Sequence, residues 1–227
     1  EHRGNHRHCH GAGCGDLEGA FAADLPQVGW MDDETRARAK GKVEAVANKI
    51  GYPDTWEDYS GLRLRRNDHF GNTVAVSRFH FDRELDDVGR PVDHSEWDMP
   101  PQTVNAYYNP LANEMVFPAG ILQPPFFHRA FPAALNYGGI GGAIGHELTH
   151  GFDDQGRKFD ATGQLREWWE PAVADRFEER AQCVADYWGA FEVEPGLHVN
   201  GELTLGENIA DIGGLKQAHR AYRRWEK

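Results

Sequence analysis

The chain has 227 residues, of which 40% are hydrophobic and 26% charged, as is ordinary for a soluble globular protein. Its formal net charge of -12 at pH 7 argues against nucleic acid as the main partner, because nucleic-acid-binding domains present a basic face. No apolar run approaches the roughly 18 residues of a membrane span, so this segment is not expected to cross a membrane.

Residues 1–16, EHRGNHRHCHGAGCGD, are polar and rich in histidine, and we expect a disordered tail. They contain no apolar stretch of the kind that marks a signal peptide. Since the chain also lacks an initiator Met, it looks like an internal segment, a processed product or a designed expression product. The tail could also pair Cys9 with Cys14, or bind metal through these cysteines and His6, His8 and His10, although composition alone supports such a role.

An apolar patch over residues 17–31 precedes the segment MDDETRARAKGKVEAVANKIGYP, which is predicted to be one helix. Asp32 or Asp33 can cap its start, and Gly51 with Pro53 would end it. A set of apolar residues at helical spacing gives it a packing face, namely Val43, Val46, Ala47 and Ile50. Residues 53–70 are rich in turn residues, and residues 71–88 are predicted to be helical. The linker GRPVDHSEWDMPPQ is the candidate domain boundary.

The second half of the chain begins with a predicted β-hairpin, in which the turn NPLAN joins two apolar stretches and Pro118 ends the second. An extended apolar loop with two consecutive prolines follows. The segment LNYGGIGGAIGHELTHGFDD starts rich in glycine and becomes helical. A long helix then begins with Pro171 in its first turn, and the chain closes with a turn and a last helix.

The stretch IGHELTHGFDD, residues 144–154, carries the clearest chemical signal. His146 and His150 are four residues apart, so on a helix both rings project from one face. This spacing suits two nitrogen ligands of a tetrahedral Zn²⁺. Glu147 can reach a metal-bound water and take its proton, and zinc itself makes that water more acidic and polarises the scissile carbonyl. Because the motif also arises by chance, a third ligand has to be found.

A metzincin would have Gly three residues after the second histidine and a further His three residues later. Asp153 and Gly156 occupy these positions, which excludes that subclass. The remaining option is Glu207 in TLGENIADIGG, although Thr204 and Glu207 also fit a capping box, in which Glu207 would bind the N-cap amide. Asp211, one turn after Glu207, favours a metal site, because a second acid can orient a ligand histidine. On a bare surface the two acids would repel each other.

Several stretches are similar, in the same order, to the neprilysin-type zinc metallopeptidases of family M13, which include the endothelin-converting enzymes and the bacterial endopeptidases of the O type. The matching stretches are VNAYYNP, VFPAGILQPPFF, LNYGGIGGAIGHELTHGFDDQGRKFD, WW at 168–169 and LGENIADIGGLKQAHRAY, with weaker matches in WMDDETRARAKGKVEAVANKIGYP and VNGELT. The resemblance covers about residues 17–227. It implies an α+β fold with a zincin-like (gluzincin) core, a small sheet and an active-site helix, and part of an N-terminal helical lobe. The implied domains are the tail 1–16, the lobe segment and linker 17–98, and the catalytic core 99–227.

The resemblance implies one zinc ion per chain, bound by His146, His150 and Glu207, with Glu147 as the general base. Asp153 and Asp211 would hold the histidine rings, and Asp211 counts with Glu147 as catalytic. The implied substrate contacts are Asn105, which would bind the peptide backbone, the carbonyl of Ala106, and Ile121 and Phe126, which would line the pocket for the residue after the scissile bond.

The implied activity is a zinc endopeptidase that cleaves peptides on the amino side of bulky hydrophobic residues, outside the cytoplasm in the periplasm, cell envelope or secreted fraction. Its partners would be peptides and not nucleic acid, and a full-length parent could be membrane-anchored. Family members continue past the last helix matched here and include a further histidine, arginines and a partner for Cys183. The chain is therefore expected to be truncated at both ends. The alternative is a catalytically weak or silent zinc-binding fragment that acts as an interaction module. The intact Glu147 favours the enzyme, and the early end of the chain favours the fragment.

Overall fold

The structure, a computed structural model, describes residues 13–227. Helices and strands of this range are, in chain order, α1 (Cys14–Asp24), α2 (Asp33–Glu44), β1 (Ala47–Gly51), α3 (His69–Asp87), β2 (Tyr107–Asn109), β3 (Glu114–Pro118), α4 (Ala133–Gly138), α5 (Ile140–His150), α6 (Pro171–Gly189), β4 (Glu192–Glu194), β5 (Leu197–His198) and α7 (Leu205–Trp225). Single 3₁₀ turns occur at Leu25–Gln27, Ala119–Ile121 and Gly156–Lys158. This mixture of many helices and little strand confirms the predicted α+β class.

The chain divides into two compact units. One consists of Pro53–Asp98, and the other combines the described part of Glu1–Tyr52 with Met99–Lys227. The smaller unit contains α3, whose extent confirms the helix predicted over residues 71–88. The larger unit contains all the other named elements. The three-part domain scheme drawn from the sequence stays a prediction.

The larger unit is built on a three-stranded sheet with the order β1-β3-β2. β2 and β3 are antiparallel, with Tyr107 opposite Val116, which confirms the predicted hairpin. The turn between them contains Asn113 at a φ of 49°, a left-handed conformation that asparagine tolerates better than most residues. β3 is buried along its whole length, so it forms the centre of the sheet, whereas β2 lies at an edge.

The prediction of one continuous helix up to Gly51 is wrong. α2 ends at Glu44, and the residues from Ala47 form β1, which pairs in parallel with β3. The backbone N–H of Ala47 donates to the carbonyl of Asn113 at 3.0 Å, where the ladder begins. Val46 and Ile50 still pack on the core, as their spacing indicated. Pairing with the distant strand β3 overrides the local helical pattern, because the pattern of residues 47–51 carries no information about that partner.

The first helix begins at Cys14, so the last residues of the predicted disordered tail are helical, and Cys14 itself is buried. The remainder of the tail, with Cys9 and the three histidines of the suggested metal cluster, lies outside the described residues. Cys183 is exposed and forms no disulfide with the described residues.

Two apolar clusters fill the larger unit. The first packs one face of α5 against the sheet, α1 and the C-terminal half of α7, and its members include Leu17, Met115, Phe117, Ile140, Ile144, Leu148 and Ala218. The second joins α2 to α6 through the loop between α5 and α6, and its members include Ala39, Val43, Phe152, Trp168, Trp169, Val173 and Phe177. α5 is therefore held by buried contacts on its apolar face, which leaves the face with His146 and His150 turned towards α7.

Within residues 13–227, none of the helices combines the length and apolarity that a membrane-spanning helix needs.

Candidate metal centre

α5 presents His146 and His150 from one face, as their spacing predicts. Their Nε2 atoms lie 3.0 Å apart, and the two rings are nearly perpendicular, with an interplanar angle of 87°. Both side chains are about one-fifth exposed, so they border solvent at one side and protein at the other. This is the geometry of two ligands that point at a common position.

α7 crosses α5 at very short range because glycines meet at the contact. A Cβ atom built on Gly145 of α5 would lie 2.7 Å from the carbonyl oxygen of Gly214, and one built on Gly214 would lie 2.6 Å from the backbone nitrogen of His146. Neither position has room for any larger residue without a shift of backbone. The close crossing brings the first turns of α7 beside the two histidines.

Glu207 reaches the histidines from the first turn of α7. Its Oε2 atom lies 3.3 Å from Nε2 of His146 and 3.6 Å from Nε2 of His150. The capping box that was the alternative for Glu207 is not formed, because the backbone N–H of Thr204 donates instead to the carbonyl of Asn200 at 3.1 Å. The carboxylate of Glu207 is therefore available to a metal ion.

Each histidine is held by a carboxylate at its other nitrogen. Nδ1 of His146 lies 2.8 Å from Oδ1 of Asp211, and Nδ1 of His150 lies 2.7 Å from Oδ2 of Asp153. Such contacts assign the ring proton to Nδ1 and leave the lone pair on Nε2. The other oxygen of Asp153 accepts the backbone N–H groups of Gln155 and Gly156, so this carboxylate is anchored on both sides.

These residues fit a zinc ion. With Nδ1 protonated, two Nε2 lone pairs and a carboxylate oxygen face one another, an arrangement of acceptors that a cation stabilises. The ligand atoms of His146, His150 and Glu207 all lie within 4.8 Å of one another. For tetrahedral zinc with bonds of about 2.0–2.1 Å, neighbouring ligand atoms are about 3.3 Å apart. The observed separations of 3.0, 3.3 and 3.6 Å bracket that value.

Glu147 is buried beside the candidate ligands, with 7% of its surface exposed. Burial raises the pKa of its carboxyl group, and the negative charge of Glu207 adds to this effect. The positive charges of His150 and His146 and a hydrogen bond from the backbone of Tyr108 oppose the increase without cancelling it. A carboxylate with a raised pKa is a better proton acceptor than an ordinary surface glutamate, as a general base requires.

The pKa of His150 is also raised when no metal is bound. Burial alone would lower it, but the hydrogen bond to Asp153 and the negative charges of Asp153, Glu147 and Glu207 outweigh that effect. A proton and a metal ion therefore compete for the same Nε2 atom.

The residues expected to bind a peptide lie around the hairpin. Asn105 is exposed and Ala106 is buried, directly before the edge strand β2. Ile121 is buried in the first apolar cluster, and Phe126 packs against the same cluster. Their roles in substrate binding stay predictions. The sole strand neighbour of β2 among the described residues is β3, so the opposite edge faces away from the sheet.

Lys42 was missed by the sequence reasoning. Its side chain is almost completely buried and donates to three backbone carbonyls in the loop after His150. A signal was present in the sequence, because Lys42 falls at helical spacing with the buried Thr35 and Ala39 of α2. A lysine on the packing face of a helix indicates a buried partner for its charge.

Comparison with known proteins finds the same family for sequence and structure. Residues 105–227 match the model of peptidase family M13. The chain is 45% identical over 219 residues to endothelin-converting enzyme 1 of Homo sapiens, a match that spans 93% of this chain and 28% of the relative. It is 42% identical over 216 residues to neprilysin-3 of Drosophila melanogaster, with 92% of this chain and 27% of the relative covered. The chain thus spans less than a third of the length of these curated relatives.

Solved structures agree. The zinc metalloprotease of Mycobacterium tuberculosis, in complex with an inhibitor, superposes with a TM-score of 0.89 at 45% identity and covers 93% of this chain and 33% of that chain. The PepO protein of Lactobacillus rhamnosis superposes with a TM-score of 0.81 at 33% identity and covers 91% of this chain and 33% of that chain. The arrangement of helices around the candidate site is therefore shared with solved peptidases.

Proposed function

The chain belongs to peptidase family M13, and from this premise we propose that it contains the metal centre of a zinc-dependent endopeptidase. One observation carries the proposal, namely that ligand atoms of His146, His150 and Glu207 converge within 4.8 Å on the face of α5 next to Glu147. Two helices separated by more than 50 residues supply this set. If the two histidines of α5 were incidental, there would be no reason for a carboxylate of α7 to meet them.

Zinc, when bound by these three residues, supplies a Lewis acid that polarises the scissile carbonyl and increases the acidity of water. Glu147 takes a proton from the attacking water on its carboxylate, and the water oxygen forms a bond to the carbonyl carbon. Glu147 then passes the proton to the amide nitrogen as the C–N bond breaks. The products are one peptide with a new carboxylate and one with a new ammonium group, so both protons of the water end on the nitrogen.

Asp153 and Asp211 hold the imidazole rings in the tautomer that offers Nε2 to the metal, and they increase the basicity of both ligands. They act on the reaction through the histidines. Asp153 is the more strongly anchored of the two, since it is buried and its second oxygen accepts two backbone N–H groups, whereas the Asp211 side chain is 72% exposed.

An extended peptide is proposed to add to the free edge of β2, where backbone hydrogen bonds give affinity without reading sequence. Asn105 and the carbonyl of Ala106 would hold its backbone. Ile121 and Phe126 would favour a bulky hydrophobic residue on the carboxyl side of the scissile bond. Family membership further supports a location outside the cytoplasm, in the periplasm, the cell envelope or the secreted fraction.

The test combines metal analysis with a cleavage assay. We expect the purified chain to bind one zinc ion and to cleave a quenched fluorescent peptide that contains bulky hydrophobic residues. Glu147→Gln should keep the zinc and lose at least about 100-fold in kcat/KM, because it removes the proton acceptor. Glu84→Gln, which makes the same chemical change at an exposed site on α3, is the matched control and should behave like the wild type.

Each outcome is informative. Zinc at one equivalent with no turnover that depends on Glu147 would reject the endopeptidase proposal for this chain and support the silent zinc-binding fragment instead. The absence of bound zinc from a folded chain would reject the metal centre itself.

A further inference from the structure

Lys42 differs from the other buried charged residues because every N–H donor of its ammonium group has an acceptor. The residue lies on α2 with 1% of its surface exposed. Its Nζ atom donates to the carbonyl oxygens of Gly151 at 2.6 Å, Gly156 at 2.9 Å and Phe159 at 2.6 Å. An ammonium group has three N–H donors, so all of them end on one loop.

That loop consists of residues 151–159, which follow His150 and include a 3₁₀ turn. Gly151 directly follows His150, and Gly156 begins the turn Gly156–Lys158. Asp153 lies in the sequence between Gly151 and Gly156, two of the three residues whose carbonyls Lys42 binds, and it accepts the backbone N–H of Gly156 at 2.6 Å. Lys42 thus ties together the two ends of the segment from which Asp153 reaches Nδ1 of His150.

Aromatic rings enclose the same ammonium group. Nζ lies 5.3 Å from the ring centre of Phe152, 5.7 Å from that of Trp168 and 5.8 Å from that of Tyr108. Rings at these distances attract a cation through their faces and exclude water from it. The group is therefore held in a fixed position and is shielded from solvent.

Two carboxylates offset part of the cost of burying the charge of Lys42. Burial lowers the pKa of Lys42 to about 7, and the negative charges of Asp153 and Asp160 oppose this decrease. The three carbonyl acceptors also favour the charged form, because a neutral amine has one donor fewer. A methionine of similar length would fill the same space without the desolvation cost, but it could not donate hydrogen bonds to the three carbonyls. The donors of Lys42 are therefore what distinguishes it at this position.

We propose that Lys42 is a positioning residue of the metal centre, which holds the loop of residues 151–159 so that Asp153 orients His150 for zinc. The inference rests on the proposed zinc site and extends it by a residue more than 100 positions away in the chain. Lys42 touches neither metal nor substrate, and it acts through the backbone of the loop.

The first test measures zinc affinity in the 227-residue chain by competition with a chromophoric chelator. Lys42→Met removes the three donors at similar length, and we expect zinc to bind about 10- to 100-fold more weakly, as is typical when a group supporting a ligand histidine is lost. Val43→Ala is the matched control, since it removes packing from the next buried residue of α2. It should lower thermal stability and leave zinc affinity within about twofold of the wild type.

A double-mutant cycle with Asp153→Asn tests the route of action. If Lys42 acts through Asp153, Lys42→Met should weaken zinc binding much less in the Asp153→Asn background than in the wild type. Full additivity of the two effects would overturn the proposed route. Unchanged zinc affinity of a folded Lys42→Met chain would overturn the proposal as a whole. If Lys42→Met fails to fold, Lys42→Gln, which keeps a donor, is measured in the same way.

A metal-free readout separates this inference from the proposed function. In chelator-treated protein, the Nδ1–H protons of His146 and His150 should give low-field NMR signals, because each is bound to a carboxylate. Lys42→Met should shift or broaden the His150 signal and leave that of His146, which serves as the internal control. A change in both signals, or in neither, would overturn the inference. A wild-type chain that gives these signals but binds no zinc would instead reject the proposed function.

Discussion

The close crossing of α5 and α7 makes a quantitative prediction for Gly214→Ala. The added Cβ would lie 2.6 Å from the backbone nitrogen of His146, 2.8 Å from the carbonyl oxygen of Gly142 and 2.9 Å from Cα of His146. Ordinary contacts begin at 3.4 Å, so α7 must move away from α5 by about 0.8 Å. No flexible side chain is available to absorb this movement.

The movement acts directly on the metal centre, because Glu207, Asp211 and Gly214 lie on one face of α7 at helical spacing. A displacement of about 0.8 Å stretches the 2.8 Å contact between Asp211 and Nδ1 of His146 beyond hydrogen-bond range. It also exceeds the tolerance of about 0.2 Å in metal–ligand distances. We expect zinc to bind about 10- to 100-fold more weakly. Overpacking costs about 1–3 kcal/mol, and the gain in helix propensity offsets about 1 kcal/mol of that, so the loss of stability is moderate.

Calorimetric titration measures the predicted loss of zinc affinity, and thermal unfolding of the metal-free chain measures the predicted loss of stability. Gly142→Ala is the control, since a Cβ at Gly142 of α5 meets nothing within 4 Å. It should stabilise the chain by about 0.5–1 kcal/mol and leave zinc affinity unchanged. Wild-type zinc affinity in Gly214→Ala, or an equal loss of affinity in both variants, would refute the view that the glycine crossing sets the ligand positions.

Three further predictions follow from the contacts and pKa values. Asp153→Asn should weaken zinc binding more than Asp211→Asn, because the Asp153 side chain is 8% exposed and that of Asp211 is 72% exposed and screened by water; equal effects in a titration would contradict this. On acidification, zinc affinity should begin to decrease before the pH reaches 6.5, because the pKa of His150 is raised above that ordinary value and protons compete with the metal. A decrease that begins only well below pH 6.5 would contradict this. Without metal, the free energy of unfolding of the wild type relative to Lys42→Met should increase from pH 7 towards pH 10.5, by at most about 5 kcal/mol, because there the unfolded chain binds the proton of Lys42 and the folded chain does not. Urea unfolding across this range measures the difference, and a constant value would show that the pKa is not lowered.

Local sequence determined the elements that carry the histidines and the hairpin. The four-residue spacing of His146 and His150 already specifies a shared helical face, since the period of the helix is a property of the backbone. The two apolar stretches on either side of the NPLAN turn likewise predicted the pairing of β2 with β3, which the structure confirms. In both cases the interacting residues are close in the chain, so the pattern itself contains the neighbour.

The tertiary structure determined the features that depend on residues far apart in the chain. Residues 47–51 have a helical pattern, yet they form a strand because β3 offers a parallel partner that no local signal records. The local spacing left a capping box open for Glu207 although Asp211 favoured a metal site, and the crossing at Gly145 and Gly214 is what places its carboxylate 3.3 Å from His146. The helical spacing of Lys42 with Thr35 and Ala39 indicates that it faces the core, but only the fold shows that its ammonium group donates to the loop after His150. Spacing along the chain can choose the chemistry of a site, but contacts between distant segments determine which groups meet, because burial and close approach depend on the whole fold.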